Sequence, residues 1–173
     1  RALAAHLSTE ATTKLGVARK VDTTGMAIGG GKEFPTTDAQ RALWIKSHRD
    51  GLDEHLVEGL LERYGTRAAE VVDVLTDGPV EPLESDPALT RAEVAYFAEH
   101  EHAVHLIDVV LRRTNLAFVG GVTIDLLDEL ADVLAGVLGW TTEERADEVQ
   151  RTLDVLRESH GVIVPLTAAP ARA

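Results

Sequence analysis

The sequence predicts an all-α fold: a single helical domain of six or seven helices, with one extended loop segment near residues 17–36. Three observations carry this. Hydrophobic residues make up 45% of the chain but aromatics only 4%, so the core must be aliphatic, which suits packed helices better than a sandwich or barrel. Helix-start signals recur, with Thr37/Gln40, Thr90/Glu93 and Thr141/Glu144 all at capping-box spacing. Apolar residues recur at helical spacing, most cleanly through Leu126, Leu130, Val133, Leu134, Val137 and Leu138.

The elements follow in order. Arg1 to Gly16 reads as helix, with Leu3, Leu7 and Leu15 on one side. Val17 to Pro35 holds Gly25, Gly29, Gly30, Gly31 and Pro35, and reads as a crossing loop with one short strand expected near Met26–Ile28. Thr37 starts a helix that ends near Arg49. Leu52, Leu56, Val57, Leu60, Leu61 and Tyr64 form an amphipathic helix stopped by Gly65. Thr66 is expected to cap a short helix burying Ala69, Val72 and Leu75, ended by Asp77-Gly78-Pro79. A loop with Pro82 and Pro87 precedes Thr90, whose helix is expected to be the longest, running to about Arg113. The Leu126–Leu138 helix closes at Gly139, and Thr141 starts the last one. The stretch after Gly161 is expected to be a frayed tail. The boundaries are therefore 1–16, 17–36, 37–161 and 162–173.

Charge and composition narrow the function. The formal net charge is −12, so the average surface repels nucleic acid and anionic lipid. There is no cysteine, which removes disulfides, zinc-thiolate sites and thiol nucleophiles, and fits a cytosolic chain. No apolar run is long enough to span a bilayer, so membrane insertion is not expected. The absence of a starting methionine fits an excised fragment.

The order of particular motifs points to a family. Within Arg91–Phe118, Glu93 lies shortly before Tyr96, His100-Glu101 follows, and Arg112-Arg113-Thr114 comes about ten residues on. Upstream lie Tyr64-Gly65-Thr66 with Glu70-Val71-Val72, and before them Ala27-Ile28-Gly29-Gly30; downstream lies Leu138-Gly139-Trp140 before a charged helix. This arrangement resembles the C-terminal domain of FAD-dependent glycerol-3-phosphate dehydrogenases over nearly the whole chain. The resemblance implies a parent that oxidises glycerol 3-phosphate to dihydroxyacetone phosphate, passing a hydride to FAD and electrons to a membrane quinone. Oxygen-using oxidases share the architecture. It implies a cytoplasmic parent, peripheral on the inner membrane, and a partner in the chain's own N-terminal FAD domain. Residues 1–16 would lead out of that FAD domain, and 37–161 would cap it. The spacing to the Gly-Gly loop places Arg1 at the family arginine that helps bind the substrate's anionic end. The fragment itself is expected to be inactive and to bind no cofactor, because the strand, Gly-rich turn and helix of a dinucleotide site are not evident.

Other constellations have functional and structural readings. Gly29-Gly30-Gly31-Lys32 fails the phosphate-loop pattern, because Met26 and Glu33 stand where glycine and a hydroxyl residue are required. Glu101 and His105, among His100, His102 and Glu99, have i, i+4 spacing suited to a shared cation, but no second element offers further ligands, so no metal is expected. Glu101, His105, Asp108 and Arg112, with Arg113 beside them, form a polar stripe if the helix is continuous. It is either an ionic seam facing the flavin domain or, the preferred reading, an intradomain salt-bridge network. The Leu56–Leu75 pair resembles a helix-turn-helix, but Glu70, Asp73 and Asp77 oppose phosphate contact. No catalytic residue is assigned. The alternatives to the flavoenzyme domain are a free-standing helical adaptor, which would expose a large apolar face, and a DNA-binding regulator, which would expose a basic one.

Overall fold

The structure is a computed structural model that describes residues 1–166. Among these residues seven helices have nine or more residues: α1 (Ala2–Lys14), α2 (Asp38–His48), α3 (Glu54–Tyr64), α4 (Ala68–Thr76), α5 (Arg91–Glu101), α8 (Ile124–Leu138) and α9 (Thr142–His160). Two short turns, α6 (Leu106–Asp108) and α7 (Leu116–Val119), flank a π-helical turn at Val109–Arg113. No strand occurs among the described residues, only an isolated bridge between Pro82 and Thr90.

Local chemistry sets the helix starts. Thr37 and Thr141 form reciprocal boxes with Gln40 and Glu144. Asp53 accepts hydrogen bonds from the amides of His55 and Leu56, and Thr123 from that of Leu126. Each such cap satisfies amides the first helical turn leaves open, contributing about 1 kcal/mol.

The helices enclose two apolar clusters. One is built by α2–α4 around Val57, Leu60, Leu61 and Val71. The other is built by α5–α9 around Phe97, Leu106, Leu126, Leu130, Leu134 and Leu156. The two meet at α5, which turns Tyr96 toward the first and Val94 and Phe97 toward the second. Each buried Leu or Phe stabilises the fold by about 1.5–3 kcal/mol. α1 buries no residue, and Leu3, Leu7 and Leu15 stand in solvent.

The structure departs from the sequence expectations in five places. The helix from Thr90 does not reach Arg113: it stops at His102, which adopts the left-handed conformation (φ 56°), and its Ala103 amide turns back to the Phe97 carbonyl. The chain restarts because Asp108 accepts hydrogen bonds from the Val104 and His105 amides, at 3.2 and 3.0 Å. The longest described helix is instead α9, with 19 residues. Met26–Ile28 is irregular rather than a strand, lying between turns at 24–25 and 29–30, the second closed by the Gly31 amide on the Ile28 carbonyl. Thr66 does not cap α4; its hydroxyl donates to the carbonyls of Lys32 and Gly30, and a 3-10 turn (Gly65–Arg67) leads into the helix. Thr90 accepts from the Glu93 amide, but Glu93 does not reciprocate, because its carboxylate points inward. Residues 162–166 are not frayed: Val162 and Val164 pack on the second cluster, and the Pro165 carbonyl accepts the Ile124 amide. The rest of the expected tail lies outside the described residues.

Candidate functional site

The polar stripe inferred from a continuous helix is redistributed by the break at His102. Glu101 ends α5, and its carboxylate stands 3.6 Å from the Arg113 guanidinium. Asp108 pairs with Arg112 while holding the two amides that restart the chain. His105 instead reaches α9, where its Nδ1 lies 2.9 Å from Glu148. The second Glu148 oxygen accepts the Leu106 amide at 3.1 Å, and Arg151 flanks the first at 3.3 Å. The five residues thus gather where α5, α6, the π turn and α9 meet, but as three separate ionic contacts. The break also removes the i, i+4 relation that put Glu101 and His105 on one helix face. No group of three metal-binding side chains occurs among the described residues.

Sequence reasoning missed a more deeply buried ionic centre. Glu93 has no solvent exposure, and Arg63 on α3 grips it with two hydrogen bonds, Nε to Oε1 at 2.8 Å and Nη2 to Oε2 at 2.9 Å. The Tyr64 hydroxyl donates to Oε1 at 2.9 Å. Burial pushes the Glu93 carboxyl above its ordinary range, against the pull of the Arg63 charge and the hydrogen bonds. Burial, followed by the Glu93 charge, pushes the Tyr64 phenol well above its ordinary value. The centre joins the two clusters through α3 and α5. Its only signal in the sequence, a glutamate three residues after Thr90, has the same spacing as a capping box.

The glycine-rich loop is consumed by packing. Gly30 lies against the α3 end so closely that a Cβ there would meet the Tyr64 carbonyl oxygen at 2.0 Å, and one on Gly65 would meet the Gly30 oxygen at 2.2 Å. Both glycines have positive φ, 76° and 61°. The Gly30 carbonyl accepts the Thr66 amide at 2.9 Å. The loop therefore fastens residues 17–36 to the helices and offers no cradle for a pyrophosphate.

Arg1 lies at the other end of this segment. Its guanidinium donates to the Met26 carbonyl at 2.8 Å and to that of Thr23. Arg19 fastens the segment to α1 through Ala5 and Thr9, at 2.7 and 3.1 Å. The two arginines line a shallow cleft of about 350 Å³. α4 buries Ala68, Val71, Val72 and Leu75 and exposes Glu70 and Asp73, with the exposed Asp77 at its C-terminal end.

The fold and its internal ion pairs define an all-helical domain: its polar side chains hold helices together, and its N-terminal helix is left uncovered. Residues 21–145 match the family described as the C-terminal domain of alpha-glycerophosphate oxidase, and the chain belongs to that family. It is 34% identical over 102 residues to glycerol-3-phosphate dehydrogenase 2 of Mycobacterium tuberculosis (strain ATCC 25618 / H37Rv), covering 57% of this chain and 17% of that protein. It is 35% identical over 104 residues to the glycerol-3-phosphate dehydrogenase of Mycobacterium leprae (strain TN), with the same coverage of 57% and 17%. The mitochondrial glycerol-3-phosphate dehydrogenase of Bos taurus is 28% identical over 136 residues, covering 74% of this chain and 18% of that protein. The chain matches about a sixth of the length of the mycobacterial relatives.

Proposed function

We propose that this chain is the C-terminal helical domain of an FAD-dependent glycerol-3-phosphate dehydrogenase and that its role is to brace or cap the flavin-bearing body. The observation that carries this reading is the family match over residues 21–145. The parent would oxidise glycerol 3-phosphate to dihydroxyacetone phosphate, with FAD accepting the hydride and quinone, at a membrane surface on the cytoplasmic side, accepting the electrons. FAD would supply the redox chemistry from the N-terminal body. This chain's own contribution is positional: residues 1–16 lead from that body, residues 17–36 link, and residues 37–161 pack as the cap. Arg1 is the one residue proposed to contact the substrate's anionic end. Its hold on the Thr23 and Met26 carbonyls fixes the guanidinium against the 17–36 loop.

The uncovered Leu3, Leu7 and Leu15 support a packing partner against α1. The same face would serve the adaptor alternative, in which the partner is a separate protein. The acidic exposed face of α4 speaks against the DNA-binding alternative. No helix among the described residues is long and apolar enough to cross a membrane.

The test is to assay flavin retention and glycerol-3-phosphate turnover in the intact gene product and in the 173-residue chain. The intact protein is expected to hold flavin and turn over, and the isolated chain to do neither. An intact product with neither flavin nor turnover would overturn the reading in favour of the adaptor.

A further inference from the structure

Three locally unfavourable features converge on one cleft of about 540 Å³ between α3, the 86–89 loop and the π turn. The first is Gly59, which occupies the interior of α3, where glycine disfavours helix relative to alanine. A Cβ there would come within 3.3 Å of Arg63 Nη1, so the glycine leaves room beside that guanidinium. The second is the π turn itself, an uncommon geometry that tends to occur at functional positions; it delivers Arg112 and Arg113 to the cleft in succession. The third is Arg113, whose ion pair with Glu101 is long at 3.6 Å, which donates no hydrogen bond to any described residue and whose buried Nε has no partner. Local rules broken together, at one place, mark sites kept for something other than stability.

Three arginines line the cleft, each paired with one carboxylate yet keeping N–H donors that make no hydrogen bond among the described residues. Arg63 commits Nε and Nη2 to Glu93, leaving Nη1 without an acceptor among the described residues. Arg112 engages Asp108 through Nη1 alone. Two acidic residues also line the rim: Glu62 pairs with Arg41 at 3.0 Å, and Asp86 keeps its charge while accepting the Ala88 amide at 3.2 Å. Guanidinium groups with free N–H donors bind phosphate oxygens with two-pronged geometry. The cleft volume falls within the range of roughly 300–1,000 Å³ typical of small-molecule sites, larger than a bare ion requires.

We propose that this arginine cleft is an oxyanion-binding site that takes a phosphate monoester through Arg113, Arg112 and the free edge of Arg63. The ester can be a free metabolite or a phosphorylated lipid headgroup, since both present the same three oxygens. The site does not rest on the parent reaction.

The test is to titrate the 173-residue chain with inorganic phosphate at constant ionic strength, following the amide resonances of Gly59, Arg113 and Thr114. Saturable shifts with a dissociation constant of roughly millimolar or tighter are expected, weakened about tenfold in Arg113→Gln. Arg112→Gln provides a second variant, and unchanged helical circular dichroism certifies both. Vesicles of phosphatidylcholine containing phosphatidic acid, tested against phosphatidylcholine alone, separate the sources. Phosphate binding with vesicle binding that both variants weaken assigns the headgroup, and phosphate binding without vesicle binding assigns the free ester. Absence of saturable shifts, or equal affinity in folded Arg113→Gln and the unaltered chain, overturns the site.

Discussion

Arg63 holds Glu93 through two parallel hydrogen bonds across the α3–α5 contact, with the Tyr64 hydroxyl completing the carboxylate's partners. Removing one member of a buried pair costs about 3–5 kcal/mol, because the other charge is left uncompensated. Arg63 retains some solvent contact, which places Glu93→Ala near the lower end, at about 3 kcal/mol. Tyr64→Phe removes one hydrogen bond to a charged group and is expected to cost about 1.5–3 kcal/mol. Urea midpoints of the two variants check the order: a Glu93→Ala loss smaller than that of Tyr64→Phe would contradict it.

Gly30→Ala is expected to detach the 17–36 segment without dissolving the helices. The added methyl collides with the Tyr64 carbonyl and meets a positive φ, a strain of at least about 1 kcal/mol. The readout is hydrogen exchange at the Thr66 amide, which Gly30 protects. Exchange there should accelerate while amides inside α8 stay protected.

Glu129 confers acid sensitivity. Its partial burial opposes ionisation, yet the Ser85 and Glu84 amides, at 3.0 and 2.8 Å, and the Arg91 charge hold its carboxyl below the ordinary value. A lowered folded pKa means the stabilisation is present above the unfolded value of about 4.3 and is lost as pH falls through the folded value. Glu129→Gln should therefore lower stability by about 1–2 kcal/mol at pH 7 and flatten the acid limb of the stability profile. Denaturation midpoints at neutral pH and below the usual carboxylate range decide it: an equal loss at both would rule out the ionised form.

His102→Gly should stabilise the chain. A non-glycine residue in the left-handed region costs about 1 kcal/mol, and His102 is exposed and not needed for packing. For a chain of this size the gain corresponds to roughly 2–4 °C in Tm, measurable by thermal circular dichroism. A drop in Tm would show that the imidazole contributes to the break.

Leu7→Glu tests the uncovered face of α1. In the 173-residue chain it should leave the unfolding midpoint unchanged, because α1 buries nothing. In the intact parent it should weaken flavin retention if the flavin body packs there. Unchanged retention and turnover would remove α1 from that interface.

The helical class was legible because its signals are local. The Thr37 and Thr141 boxes and the 126–138 stripe depend on residues a few positions apart. The errors came where a distant partner outweighed such a signal. Glu93 has capping spacing, but Arg63, thirty residues away, draws it inward. Thr66 is well placed to cap α4, but the carbonyls of Gly30 and Lys32 engage its hydroxyl. The break at His102 was invisible because neither glycine nor proline marks it, and the Asp108 carboxylate that restarts the chain lies beyond it. Of the stripe, the Asp108–Arg112 pair was readable from spacing, whereas the link from His105 to Glu148 required knowing that α9 folds back.

α5 contributes to both apolar clusters, with Tyr96 in one and Phe97 in the other. Tyr64 packs against both clusters, so neither half can loosen without wetting a ring that the other half also uses. The 91–101 helix is therefore expected to make the two clusters melt as one event, for which calorimetric and van't Hoff enthalpies should agree. For a longer polypeptide, a unit that yields all at once forms a rigid abutment, transmitting strain from a neighbour instead of absorbing it.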